Sequence, residues 1–192
     1  MSSQIILPRI MQVGYGASLE VPSVLTSLNC HRALIVTDKM MVQLGYANTI
    51  QTVLQQHDIA CDVFDDTVPE PTVASIQAGV AKAKNGDYDC IIALGGGSPI
   101  DSAKAIAILA KHGGVMQDYR FPRMVTEQGL PLIAIPTTAG TGSEVTKFTI
   151  ITDETSDEKM LCVGIGFMPL AALVDYKLTM RLPARIAADT GI

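Results

Sequence analysis

The chain has 192 residues, of which 48% are hydrophobic and 17% charged, and carries a formal net charge of −5. That length and apolar fraction fit one well-cored domain, or one and a fraction. No run of about 18 apolar residues offers a membrane span, and Lys and Arg form no basic stripe of the kind that nucleic acid requires.

The opening Met1-Ser2-Ser3-Gln4 has neither the basic nor the apolar region of a signal peptide. Cys30, Cys61, Cys90 and Cys162 form no C-x-x-C pair and lie beside or within apolar, strand-like segments. They read as small, reduced, buried hydrophobes in a cytoplasmic protein.

Short β-branched runs alternate with longer helix-like stretches, the pattern of a parallel sheet covered by helices. Ala33–Thr37 reads as a buried strand, followed by a helical stretch over Met41–Gln56. Cys61–Phe64 is a second strand, followed by a helix over Thr72–Lys84. Asp89–Leu94 is a third, running into Gly95-Gly96-Gly97 and a helix from Pro99 to Lys111. Leu132–Ile135 is a fourth, ending at Pro136. Lys147–Thr152 and Lys159–Val163 flank the polar Asp153–Glu158 and predict a hairpin, and Leu170–Val174 predicts a further strand. Continuous apolar runs of this kind fit strands buried on both faces. Leu182–Asp189 has the Pro-first look of a helix start: either a new element or a short terminal helix folded back.

The strongest chemical signal is Gly95-Gly96-Gly97-Ser98-Pro99-Ile100-Asp101. Glycines after a buried strand let the backbone approach a ligand closely. Ser98 suits an N-cap, Pro99 the first helical position and Asp101 the third. The helix then aims its free N–H groups and positive dipole end at the turn, where a diphosphate would be stabilised. The same residues also fit a plain strand-to-helix turn closed by a Ser98–Asp101 capping box.

A second loop, Pro136-Thr137-Thr138-Ala139-Gly140-Thr141-Gly142-Ser143-Glu144-Val145-Thr146, is rich in hydroxyls and small residues, which suits a ribose–phosphate ligand. It also reads as a polar surface loop with a Thr141–Glu144 capping box. Asp38 follows the first of these strands. A carboxylate there accepts from adenosine ribose hydroxyls and repels a 2′-phosphate, or it merely caps the next helix.

Together with Pro8…Gly14-Tyr15-Gly16-Ala17, Leu34-Ile35-Val36-Thr37-Asp38 and Pro69-Glu70-Pro71-Thr72, these segments resemble the iron-containing (group III) alcohol dehydrogenase family. The resemblance runs over essentially the whole chain. It implies an α/β, Rossmann-like parallel sheet flanked by helices, with a small β-hairpin, that binds NAD(P). It also implies an all-helical C-terminal domain, missing here, that carries Fe2+ or Zn2+. On this reading residues 1–178 form the dinucleotide-binding domain and 179–192 begin a truncated helical one. The implied reaction interconverts a small-molecule alcohol and an aldehyde or ketone by metal-assisted hydride transfer, with this chain supplying the cofactor domain and inactive alone.

The resemblance assigns the diphosphate to Gly95, Gly96, Gly97 and Ser98, and further cofactor contacts to Thr137, Thr138, Thr141 and Thr146. Asp38 favours NAD over NADP, Lys159 reaches a ribose, and Asp101 lies near the nicotinamide. It places no catalytic residue and no metal ligand in this chain: His31, His57 and His112 match no ligand position, and Asp189 only approaches the ligand-bearing segment. Asp175-Tyr176 replaces a usual Asp-Pro, and Phe148 a usual small or polar residue. Other readings are a glycerol dehydrogenase-like or dehydroquinate synthase-like enzyme and a non-catalytic nucleotide-binding module. An apolar flank bared by the missing domain predicts self-association as a homo-oligomer.

Overall fold

The computed structural model describes residues 5–181 and Arg185. In chain order it runs β1 (Ile10–Val13), α1 (Val21–Ser27), β2 (Arg32–Val36), α2 (Lys39–Gln43), α3 (Tyr46–Gln55), β3 (Ala60–Phe64), α4 (Val73–Asn85), β4 (Cys90–Gly95), α5 (Gly97–His112), β5 (Leu132–Pro136), β6 (Phe148–Asp153), β7 (Glu158–Val163) and β8 (Ala171–Val174), with short 3-10 turns between. Six strands form one parallel sheet in the order β1-β8-β5-β4-β2-β3, while β6 and β7 pair antiparallel as a separate hairpin.

The expected α/β class follows from the strand sequences. β4 (CIIALG) and β5 (LIAIP) are buried at every position, as strands covered on both faces must be. Alternate residues feed two cores. Leu34, Val36, Ile91, Ala93 and Ala134 face α4 and α5, whereas Ala33, Ile35, Ile92, Leu94 and Ile133 face α1 and α3. The result is three layers, helix on sheet on helix. No helix among the described residues is long and apolar enough to cross a membrane.

Several expected boundaries move. The stretch Met41–Gln56 is two helices, because the chain turns at Gly45 with φ 79°. β1 and α1 were not foreseen: β1 alternates half-buried and exposed residues at the sheet edge and lacks the continuous apolar signal of the inner strands. The hairpin forms where expected, one residue late on its first strand. Most of the expected helix at Leu182–Asp189 lies outside the described residues.

A candidate cofactor cleft at the carboxyl ends of the sheet

From β2 the chain steps outward to β3, then returns to place β4 on the other side of β2 and continues outward to β5. The crevice above β2 and β4 is therefore the point where the strand order reverses, and open α/β sheets bind ligands there. A cleft of about 590 Å³ occupies it, lined from β2 by Asp38, from the loop after β3 by Thr67 and Pro69, from β4 and α5 by Gly96, Gly97 and Ser98, and from the loop after β5 by Thr137, Thr138 and Thr141. That volume falls in the ordinary range for small-ligand sites.

The rim is stitched by hydrogen bonds. The Thr37 hydroxyl donates to the Leu94 carbonyl at 2.7 Å, the Thr67 hydroxyl to the Thr37 carbonyl at 2.7 Å, and the Thr137 amide to the Gly95 carbonyl at 2.9 Å. These bonds lock the ends of three neighbouring strands before any ligand arrives.

The glycine turn is built for close approach. Gly95 holds φ 146°, and a Cβ there would meet the Pro99 ring at 2.7 Å. A Cβ on Gly96 would press on Thr138 at 3.2 Å, and one on Gly97 on Thr141 at 3.3 Å. The turn and the threonine loop thus touch because both glycines lack side chains.

α5 begins earlier than the sequence suggested. Gly97 is its first residue and Gly96 its N-cap, with no side-chain cap. Ser98 is therefore not the N-cap, and the Ser98–Asp101 capping box does not form. The residue before a proline usually avoids helical geometry, which points a sequence reader to Pro99; two flexible glycines let the helix start ahead of it. The first-turn N–H groups of Gly97 and Ser98 have no intrahelical partner. The Thr141–Glu144 capping box is also absent: the turn Ser143–Val145 has Gly142 as N-cap with no side-chain cap.

Two of the residues that line the cleft carry hydroxyls without partners. Thr137 and Thr138 have buried Oγ1 atoms without a hydrogen bond among the described residues. Orphaned buried polar groups are costly, and a ligand with oxygen acceptors would relieve them. The residues that carry the uncapped amides, the close-packed glycines and the unpartnered hydroxyls all line one cleft, and together they fit a dinucleotide diphosphate.

Asp38 accepts from the Met41 amide at 2.9 Å, so it does cap α2, and it also lines the cleft. Lys39 beside it is tied to Asp65 at 3.1 Å and Asp66 at 2.6 Å. Those two carboxylates raise the Lys39 pKa.

Asp101 and Lys159 meet in an adjoining hollow of about 240 Å³ with Gly97 and Ser98, where Lys159 pairs with Glu70 at 2.9 Å. Thr146 is not on the cleft wall: it accepts from Lys104 Nζ at 3.3 Å. Thr67, Val68 and Met40 also line the cleft, and no sequence signal marked them.

Sequence reading missed the role of Lys104. Its side chain is fully buried, donating to the Phe148 carbonyl at 2.6 Å and standing 3.6 Å from Asp101. Asp101 in turn accepts from the Ile150 amide at 3.2 Å, and its carbonyl accepts from the Thr149 hydroxyl at 3.0 Å. This pair clamps α5 to the hairpin. Burial pulls Lys104 down to about 8, against Asp101 and Glu144, and burial raises Asp101 against the pull of Lys104. The signal was present: the middle of α5 is apolar nearly all round, so Lys104 within it had to be buried and paired.

Among the described residues, no group of three close metal-ligating side chains lies at this cleft. His57 bonds the Val53 carbonyl within α3, and His112 bonds the Gln128 carbonyl beyond the far end of α5. Among the described residues, Cys30, Asp89 and Cys90 alone form a group of three close metal-ligating side chains, and they sit at the opposite, amino end of the strands.

Residues 8–176 match the model of the family described as iron-containing alcohol dehydrogenase. The long-chain-alcohol dehydrogenase 1 of Geobacillus thermodenitrificans is 37% identical over 99% of this chain and 48% of its own length. A crystal structure of 1,3-propanediol oxidoreductase superposes with TM-score 0.95 at 30% identity, covering all of this chain and 50% of that one. A sulfoacetaldehyde reductase from Bifidobacterium kashiwanohense, solved in complex with NAD+, does so with TM-score 0.92 at 33% identity, over 100% of this chain and 50% of that one. The chain thus spans about half the length of the relatives it matches. With the family model matched over residues 8–176 and a relative 37% identical over 99% of this chain, the chain belongs to the iron-containing alcohol dehydrogenase family.

Proposed function

We propose that this chain binds NAD as the cofactor-holding part of an enzyme that interconverts an alcohol and an aldehyde or ketone. The observation that carries the proposal is the convergence of the uncapped α5 N-terminus with the orphaned Thr137 and Thr138 hydroxyls on one cleft. When bound, NAD supplies the hydride acceptor, and this chain's residues bind and orient it.

The Gly97 and Ser98 amides and the α5 dipole would hold the diphosphate. Thr138 and Thr141 close over it from the β5 side. Asp38 would accept from the adenosine ribose hydroxyls, while Asp65 and Asp66, which already hold Lys39, leave that rim acidic and unfavourable for a 2′-phosphate. NAD over NADP is the proposed preference. Lys159 and Asp101 would face the nicotinamide half from the adjoining hollow.

No metal ligand set lies at the cleft among the described residues, so the chain is proposed to orient the cofactor without turning over by itself. Metal-dependent NADH production by the purified chain would contradict this. Four free cysteines fit a reducing, cytoplasmic setting. Val13, Tyr15, Tyr176 and Met180 are exposed around the carboxyl ends of β1 and β8, and this apolar flank supports self-association. Light scattering showing a clean monomer at high concentration would refute it.

Amide hydrogen exchange tests the cofactor site. NAD+ is expected to protect residues 95–101 and 137–141 and to leave α4 unchanged. Protection elsewhere, or none at saturating NAD+, would reject the proposal.

A further inference from the structure

At the amino end of the sheet, opposite the cofactor cleft, lies a second cluster that the cofactor chemistry does not use. The Cys30 and Cys90 thiols and the Asp89 carboxylate place one ligand atom each within 4.8 Å of one another. Two thiolates about 2.3 Å from a tetrahedral ion stand roughly 3.8 Å apart, so small side-chain shifts complete the arrangement.

The three residues are held in place by the backbone. α1 ends as Asn29 turns to φ 57°, and the Cys30 amide closes onto the Leu25 carbonyl at 2.9 Å. Cys90 begins β4 in register with Ala33 of β2, so both cysteines belong to the core layer beneath α1 and α3. The Asp89 carboxylate accepts from the His31 amide at 2.7 Å and the Arg32 amide at 3.0 Å, and these bonds satisfy much of its charge. Each oxygen keeps a lone pair for a further partner.

Both cysteines are buried; Cys30 contacts the Leu28 carbonyl at 3.6 Å and Cys90 the Arg32 carbonyl at 3.8 Å, and the two thiols also interact with each other. Half-buried Asp89 and exposed His31 line the way in from solvent. Paired thiolates with one carboxylate are a soft, anionic donor set, suited to a thiophilic divalent cation and poorly matched to Mg2+ or Ca2+.

We propose that Cys30, Cys90 and Asp89 form a binding site for a thiophilic divalent cation such as Zn2+, which ties the α1–β2 loop to the start of β4. Binding releases the two thiol protons to solvent and changes no oxidation state.

The test uses the full chain, reduced, stripped with chelator and titrated with Co2+ and then Zn2+. One equivalent of Co2+ is expected to produce a thiolate-to-cobalt charge-transfer band, which one equivalent of Zn2+ abolishes. The band is lost in Cys30→Ser and in Cys90→Ala and kept in Cys61→Ser and Cys162→Ser. Zn2+ is also expected to release about two protons per chain in weakly buffered solution, a readout in the unsubstituted chain that is independent of how the variants fold. Absence of the band in the reduced protein, a band that survives loss of Cys30, or Zn2+ addition without proton release each overturns the proposal.

Discussion

α4 and α5 pack side by side on one face of the sheet, yet they begin in opposite ways. At α4 the chain satisfies itself: the Thr72 hydroxyl accepts from the Ser75 amide at 3.2 Å, and the Ser75 hydroxyl receives the Thr72 amide at 3.1 Å, a complete capping box. At α5 the N-cap is Gly96, no side chain caps the first turn, and nearby hydroxyls on Thr137 and Thr138 are buried without partners. A helix start that is closed by its own residues is finished as a structural element. One left bare, in a cleft at the reversal point of the sheet, is the end proposed to receive the cofactor.

The comparison can be broken first at the support of the bare end. Lys104→Ala leaves the half-buried Asp101 carboxylate without its cation and loosens α5 from the hairpin, and it is expected to destabilise by about 3 kcal/mol in urea unfolding. A cost below about 1 kcal/mol would mean that the pair does not hold the seam. The same lysine gives a pH signature. Its folded pKa of about 8 lies below the unfolded 10.5, so between those values the unfolded chain binds more protons. Stability attributable to Lys104 therefore rises with pH across that window. Lys104→Met should lack this rise relative to the unsubstituted chain.

The ligand-facing hydroxyls sharpen the contrast. Thr138→Val keeps the shape against Gly96 but deletes an unpartnered hydroxyl, so NAD+ affinity should fall by about 1–1.5 kcal/mol while stability of the free protein is unchanged or improved. A loss of stability without a loss of affinity would make Thr138 a structural residue. Thr72→Ala is expected to do the reverse: it removes a working cap, costing about 1 kcal/mol of stability with NAD+ binding untouched. Smallest of all, Asp38→Ser should narrow the preference for NAD+ over NADP+ without abolishing it, as read from paired titrations, because Asp65 and Asp66 remain. An unchanged ratio would remove Asp38 from cofactor selection.

Much of this was legible in the sequence because β4 and β5, and β2 after Arg32, are apolar at every position, a pattern that fits a doubly covered sheet. The glycine and threonine loops could be placed at strand ends for the same reason. Three features could not be read. The start of α5 was hidden because Ser98-Pro99 imitates a cap and first turn, whereas glycine conformational freedom moves the boundary forward. Thr146 looked like its neighbours in the hydroxyl-rich loop, but folding turns it to the buried Lys104. The Cys30–Cys90 juxtaposition joins residues far apart in the chain through the β2–β4 register, which no local spacing encodes.

The central claim, that the bare start of α5 and the threonine loop form an NAD site, is tested most directly by calorimetric titration of the chain and of Gly96→Val with NAD+ and NADP+. The account predicts saturable binding that favours NAD+ and disappears in Gly96→Val, whose side chain would press on Thr138 and fill the approach to the diphosphate. Equal binding to Gly96→Val and the unsubstituted chain, or a preference for NADP+, would contradict it.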